Sequence, residues 1–361
     1  IQANWPQNSV PSTIIKDGVR LTDPAEVANA IQDVLLQKVE DILKGIPDDG
    51  TDPLSYTEKW LEGKNVPDCQ LTTRASYEEV EAAMKSLRST DAPGHDELTT
   101  RLVKHMAEPL ACVMTHLVNL SFEKETFPDV FKLAKISPLY KKGDKFDAKN
   151  YRPVAVLPAM SKVIEKIVIT RLKTHLEKNR LLSDTQNAYR EKRSVTTAML
   201  QLHDEILKKQ DENVDSACVF LDCSAAFDTI SHRVLLGKLC LYGVDEQSLR
   251  WVTSYLAGRA QFVSIGGKRS DIRKILDGAF QGSIGGPWCF LLMINDIVVL
   301  GKAGSFTIYI YADDSCLRVD LSGDIEADQR LLDEIMKDVV KYINSQKLMF
   351  NFGKSEFVIT S

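Results

Sequence analysis

The chain has 361 residues, 45 Lys and Arg against 50 Asp and Glu, a formal charge of −5 and a hydrophobic share of 44%. That length is too great for one comfortable core and predicts two or three subdomains of ordinary soluble composition. The acidic balance excludes indiscriminate nucleic-acid binding, and seven cysteines without ligand spacing give no zinc site and point to reduced thiols in a nuclear or cytoplasmic setting. No signal peptide or membrane-spanning run is visible: Cys289 to Leu300 is too short, and Asn295-Asp296 interrupts it. The chain begins Ile1-Gln2-Ala3 and ends in an apolar run through Val358 and Ile359, so a piece of a longer protein is expected.

Residues 1–75 are rich in Asp, Pro, Gly and Thr and read as an N-terminal extension or linker without chemistry. One helix is predicted there, from Pro24 to about Lys44, with Asp23 as its cap and Val27, Ile31, Val34, Leu35, Val39 and Ile42 on one face. Pro47 to Pro53 marks a loop. A helix from Ser76 to Leu87 follows, then a longer one from Arg101 to Phe122 that Pro109 kinks or divides. Leu133 to Leu139 reads as a strand feeding Tyr140-Lys-Lys-Gly-Asp144, which puts two lysines near a loop tip, and Val154 to Leu157 as the returning strand. Ser161 to Glu177 is an amphipathic helix, with Lys162, Lys166, Arg171 and Lys173 expected to reach water. Between Phe131 and Arg193 stand 16 Lys or Arg against 6 Asp or Glu, either a solvated helical surface or a positive wall for phosphates.

A basic loop, Gln186 to Ser194, precedes a helix from Val195 to Lys208, and an apolar strand from Ser216 ends on Asp222. Helices from His232 to Leu241 and Leu249 to Leu256 lead to a hairpin at Gln261 to Ile265 with a Gly266-Gly267 turn. Gln281-Gly282-Ser283 opens an apolar helix from Pro287 to Leu300. Thr307 to Val319 reads as a short hairpin with Asp313 and Asp314 at its turn. A helix from Ile325 to Ile343, a loop at Phe350–Lys354 and a strand at Phe357–Ile359 complete the chain. Helices and strands alternate irregularly, which favours an α+β fold, an antiparallel sheet backed by helices, over a doubly wound parallel one.

Two adjacent carboxylates in a partly buried site disfavour each other's ionisation, and a divalent cation with a taste for oxygen, such as Mg²⁺, relieves that cost. Asp222 is open to two readings: a third carboxylate beside the hairpin, so that three could hold two Mg²⁺ ions, or a cap on the turn spanning Ser224 to Phe227.

Phe220-Leu-Asp-Cys-Ser-Ala-Ala-Phe-Asp-Thr-Ile230 resembles the first catalytic motif of non-LTR retrotransposon reverse transcriptases. Phe280-Gln-Gly-Ser-Ile-Gly-Gly-Pro287 through Ile294-Asn-Asp296 resembles their second palm motif, and Tyr311-Ala-Asp-Asp314 their third. Tyr140-Lys-Lys-Gly-Asp144, Asn150-Tyr-Arg-Pro153 and Gln186 to Arg193 resemble the fingers motifs in the expected order, and the likeness runs from about residue 75 to 361. It implies a right-hand polymerase with fingers over 76–210, a palm over 211–361 with an antiparallel sheet, and no thumb within the chain. The implied activity is RNA-directed DNA polymerisation: a primer 3′-hydroxyl is extended with dNTPs on an RNA template by two Mg²⁺ ions. Asp222 and Asp313 are the implied metal ligands, with Asp314 beside them. Phe227 is the implied sugar gate against a 2′-hydroxyl, Lys142 and Arg152 the triphosphate contacts, Gln281 and Gly282 the template–nucleotide lining, and Lys354 a proton donor near pyrophosphate. The resemblance also implies a longer polyprotein with endonuclease and thumb regions, a DNA primer and no membrane.

Several positions depart from the family pattern. Phe280 stands for a common proline, Gly285 for an aliphatic residue, Ala225 for a lysine and Ala188-Tyr189 for Gly-Phe, while Asp91 to Glu97 and Phe350 to Lys354 follow it loosely. The departures leave open a domesticated reverse transcriptase serving as an RNA-binding or assembly scaffold, against which the retained carboxylates argue. A viral RNA-dependent RNA polymerase is disfavoured, because that family carries Asp where Phe227 stands and Gly where Ala312 stands.

Overall fold

The computed structural model describes residues 12–303 and 306–360, so the Ile1-Gln2-Ala3 start lies outside the described residues. In chain order its strands and helices are β1 (Ile14–Lys16), β2 (Val19–Leu21), α1 (Pro24–Gly45), α2 (Leu54–Leu61), α3 (Tyr77–Lys85), α4 (Thr100–His105), α5 (Ala107–Glu123), β3 (Leu133–Tyr140), β4 (Tyr151–Val156), α6 (Ala159–Lys178), α7 (Val195–Asp211) and β5 (Ser216–Asp222). They continue as α8 (His232–Leu241), α9 (Glu246–Leu256), β6 (Ala260–Ile265), β7 (Lys268–Arg269), β8 (Arg273–Lys274), α10 (Gly285–Ile294), β9 (Phe306–Tyr311), β10 (Asp314–Asp320), α11 (Ile325–Ser345) and β11 (Glu356–Thr360). Among the described residues, no helix is long and apolar enough to cross a membrane.

The elements gather into two compact units, each discontinuous in sequence. The first takes Ile1–Asp41, Gln70–Arg171 and Asp245–Gly286; the second takes Ile42–Cys69, Leu172–Val244 and Pro287–Ser361.

In the first unit a sheet runs β4-β3-β6-β7, with β8 also on β6. The β3–β4 hairpin is antiparallel, whereas β3 and β6 pair in parallel, Leu133 opposite Ala260. Asp23 caps α1 as expected, its carboxylate accepting from the amides of Ala25 and Glu26 at 3.0 and 3.1 Å. Val27, Ile31 and Leu35 of α1 enter one core with Ile136, Ala155 and Val263, because their helical spacing puts them on one face. The helix predicted from Arg101 to Phe122 divides at Met106, and Pro109 falls in the first turn of α5, where its missing N–H costs nothing.

Arg171 is only partly exposed. Its guanidinium grips Glu79 at 2.7 and 2.9 Å and also donates to the carbonyls of Leu71 and Thr73 at 2.8 Å, which satisfies a half-buried charge.

In the second unit the sheet order is β11-β5-β10-β9, antiparallel throughout. Leu202 of α7 packs with Cys218, Tyr309 and Cys316 on this sheet. Helix α2, within the stretch expected to be loop and linker, sends Trp60 to donate to the Leu181 carbonyl at 2.7 Å.

Candidate active site

The second unit's sheet gathers three carboxylates at one end. β5 lies between β11 and β10, and its last residue, Asp222, stands opposite Asp314, the first residue of β10. The β-branched and aromatic run Thr307 to Tyr311 favours β9, and a two-residue loop, Ala312-Asp313, reverses the chain into β10. Ala312 sits at φ 57°, a left-handed conformation that costs an alanine about 1–2 kcal/mol and that its neighbours must impose.

The chain beyond β5 is tied from both sides. The Asp222 carbonyl accepts from the Asn351 amide at 2.8 Å, and the Ser224 amide donates to the Met349 carbonyl at 2.8 Å. The Asp222 carboxylate accepts from the Lys354 ammonium, while the turn after it closes on the Ala225 carbonyl, which accepts from the amides of Asp228 and Thr229. Lys354, rather than the 224–227 turn, thus engages this carboxylate.

The carboxylates feel one another. Partial burial, followed by the charges of Asp313 and Asp222, raises the Asp314 carboxyl above its usual range, with Lys354 opposing. The buried Cys223 thiol is driven up by desolvation and then by Asp313, Asp222 and Asp314, so all three negative charges reach one point. Their donor chemistry suits a hard divalent cation: carboxylate oxygens gathered with mutual repulsion, at a place where an ammonium already supplies positive charge. Among the described residues no group of three His, Cys, Asp or Glu side chains is preformed to hold a metal ion.

Other predicted residues lie around this sheet. The half-buried Phe227 ring leans on Phe290, centroids 5.5 Å apart at 36°. The basic loop that resembles a fingers motif adds to the outer edge of β9: Gln186 bridges Ile310 in parallel, the Ile310 amide donates to the Thr185 carbonyl at 3.0 Å, and the Asn187 amide to the Ile310 carbonyl at 3.0 Å. Tyr189, also left-handed at φ 60°, has its hydroxyl pKa raised by burial and then by Asp313 and Tyr311.

Lys142, Arg152, Gln281 and Gly282 belong to the first unit. Lys142 is exposed in the β3–β4 loop, and Arg152 is exposed on β4 opposite Leu139. The Gln281 carbonyl accepts from the Ala155 amide at 2.9 Å, so the 281–282 segment is fastened to β4. Gly282, at φ 127°, lies so close that a Cβ there would meet the Ala155 carbonyl oxygen at 2.2 Å. Gly282 thus stands backbone to backbone against β4.

Two buried acids hold ionic roles that the sequence did not assign to them. Asp296 accepts from Lys238 at 2.7 and 2.9 Å and also from Thr57 and Tyr342, and all of Lys238 and Asp296 is out of water. Glu165 accepts from the amides of Ile284 and Gly285 at 2.8 and 3.2 Å, an anion at the start of α10 where the helix dipole favours one. The available signal was a charge inside an apolar stripe: Lys238 beside Val234, Leu235 and Leu239, and Glu165 between Ile164 and Ile167.

Asp222, Asp313 and Asp314 thus stand at the end of an antiparallel sheet in a mixed helix-and-sheet chain. The chain belongs to the reverse transcriptase (RNA-dependent DNA polymerase) family, whose profile matches residues 140–361, more than half of it. It is similar to the RNA-directed DNA polymerase from mobile element jockey of Drosophila funebris, 27% identical over 288 residues, covering 77% of this chain and 31% of the relative. Similar too are the probable RNA-directed DNA polymerase from transposon BS of Drosophila melanogaster, 28% identical over 61% of this chain and 24% of the relative, and the retrovirus-related Pol polyprotein from type-1 retrotransposable element R2 of Popillia japonica, 24% identical over 77% and 38%. The chain thus spans about a quarter to two fifths of the relatives it matches.

Proposed function

We propose that this chain carries the polymerising core of an RNA-directed DNA polymerase, with a palm over about 211–361 and a fingers-like region over about 76–210. The observation that carries the proposal is the pairing of Asp222 with Asp314 across β5 and β10, with Asp313 in the adjoining turn, in a chain of this family. Asp222 and Asp313 would hold two Mg²⁺ ions, with Asp314 beside them. Mg²⁺ bound there supplies Lewis acidity to the primer 3′-hydroxyl and neutralises charge on the triphosphate and the leaving pyrophosphate.

The chain's own groups do the rest. Phe227, backed by Phe290, offers a rigid face to the incoming sugar and excludes a 2′-hydroxyl. Lys142 contacts the triphosphate as a mobile point charge and Arg152 as a planar fork. Gln281 and Gly282 line the template–nucleotide pocket from a segment fastened to β4. Lys354 shields Asp222 before substrate arrives and donates a proton toward pyrophosphate afterwards. RNA template, DNA primer and dNTPs are the partners, endonuclease and thumb regions belong to the longer polyprotein, and the seven free cysteines fit nuclear or cytoplasmic work.

Primer extension on an RNA template with dNTPs and Mg²⁺ tests this in the full-length protein. Asp313→Ala should lower the rate at least ~1,000-fold, since metal-borne charge stabilisation is worth several kcal/mol. Equal activity of wild type and variant, or equal inactivity, overturns the polymerase assignment, and the second result with RNA binding intact favours the scaffold.

A further inference from the structure

The segment before α1, in which the sequence shows no chemistry, is built against the loop that carries Lys142. β1 and β2 form a hairpin whose turn, Asp17-Gly18, is left-handed at both residues (φ 53° and 78°), the signature of a type I′ turn. One face is anchored: Ile14 is fully buried in the core with Ile136, Ala148, Tyr151 and Ala155, and Leu21 packs against the same cluster. Beyond Ala148, which shares that core with Ile14, the hairpin engages the β3–β4 connection at Phe146. The Ile15 amide donates to the Phe146 carbonyl at 2.8 Å, and the Arg20 guanidinium lies over the Phe146 ring, 5.5 Å from its centroid.

Other hydrogen bonds tie the 143–145 part of the loop to its stem. Tyr140 donates to the Gly143 carbonyl at 2.6 Å, Tyr151 to the Lys145 carbonyl at 2.7 Å and Asn150 to the Asp144 carbonyl at 2.9 Å. These bonds run within the β3–β4 connection and fix its shape, whereas the contacts of the β1–β2 hairpin at Phe146 and Ala148 hold it from outside. Phe146 is the exposed one of these contacts, and its partners, Ile15 and Arg20, stand on β1 and β2.

We propose that the β1–β2 hairpin is a positioning brace for the triphosphate-binding loop, with Arg20 and Phe146 as positioning residues that set where Lys142 stands. The inference rests on the assignment of Lys142 to the triphosphate. A loop free to tilt still carries its lysine, but it finds the phosphate less often, so nucleotide binding weakens while the rate at saturation holds. A cation–π contact at an exposed site is worth about 0.5–1 kcal/mol, so its loss raises KM for dNTP by roughly 2–5-fold.

The test combines primer-extension kinetics at varied dNTP with amide hydrogen exchange of residues 141–149, in the full-length protein. Arg20→Ala and Phe146→Ala should raise KM by roughly that factor with kcat unchanged and speed exchange in the loop, while Arg20→Lys and Phe146→Tyr restore both. Both side chains are exposed, so thermal unfolding of the variants should match wild type. Lys142→Ala separates the two claims. If it raises KM while Arg20→Ala and Phe146→Ala leave KM or loop exchange unchanged, the brace is overturned. If Lys142→Ala leaves KM unchanged, the triphosphate assignment falls and the brace, as a device for nucleotide binding, falls with it; faster exchange in the Arg20 variant then records a structural contact only.

Discussion

Two glycines show how differently the same residue type can be required. Gly267, at φ 78° in the turn after β6, has open space where a side chain would go. Gly282, at φ 127°, has the Ala155 carbonyl oxygen 2.2 Å from any Cβ. Gly267→Ala therefore meets only the conformational cost, about 1–2 kcal/mol. Gly282→Ala meets that cost and a clash with backbone that cannot rotate away, so about 3 kcal/mol or more is expected. Urea unfolding of both variants should order them in that way. Equal midpoints would mean that the 281–283 segment moves off β4 without loss, and that the Gln281 carbonyl bond to Ala155 contributes little. The glycine was legible only through the resemblance, which implies a place for it in the template–nucleotide lining. Its partner was not, since nothing in local sequence pairs residue 282 with a strand 127 positions earlier.

At the level of elements, local signals carried far and long-range ones did not. The strand ending on Asp222, the hairpin around Asp313 and the helix from His232 to Leu241 follow from alternation, β-branched content and turn residues, all of which act within a few positions. Helix α2 was missed because only eight residues long it shows barely two turns of periodicity, directly after Pro47 to Pro53. The parallel pairing of β3 with β6 joins strands more than a hundred residues apart, and no local pattern encodes it. The knot at Asp296 is of the same kind. It draws Thr57 of α2, Lys238 of α8 and Tyr342 of α11 onto one carboxylate, and burial lowers the Lys238 pKa while Asp296 holds it up. Lys238→Met strands that carboxylate without its cation and should cost about 3–5 kcal/mol. Adding Asp296→Asn removes the stranded charge and should recover part of the loss, a coupling readable as a double-mutant cycle in urea unfolding. Additive losses would mean that the two groups do not share a site.

Across the whole molecule, the charge pattern takes on a meaning that composition alone could not give. The excess of basic residues between Phe131 and Arg193 read equally as a solvated surface or a wall for phosphates. The structure divides it. Lys132 pairs with Asp129 at 2.8 Å, Arg171 with Glu79 at 2.7 Å, Arg190 with Glu177 at 2.7 Å and Arg193 with Asp184 at 3.2 Å, and Lys173 pairs with Glu191. Those charges are engaged in ion pairs. Lys141, Lys142, Lys145, Lys149 and Arg152 are exposed along the β3–β4 hairpin, a short stretch of high positive density on a chain of net charge −5. Polyanion binding by this segment is expected to concentrate on this hairpin. Each phosphate neutralised on a single strand contributes about −0.7 to the slope of log K against log salt. Replacing Lys142 and Lys145 together by Gln should flatten the slope for single-stranded RNA by about 1.4 if both touch phosphate. Arg190→Gln should leave the slope alone and lower the unfolding midpoint instead, because its guanidinium is bound to Glu177 and to the carbonyls of Ser183 and Gln186. Filter binding across a salt series measures both. A slope that falls with Arg190→Gln and not with the lysine pair would return the phosphate wall to the helical surface.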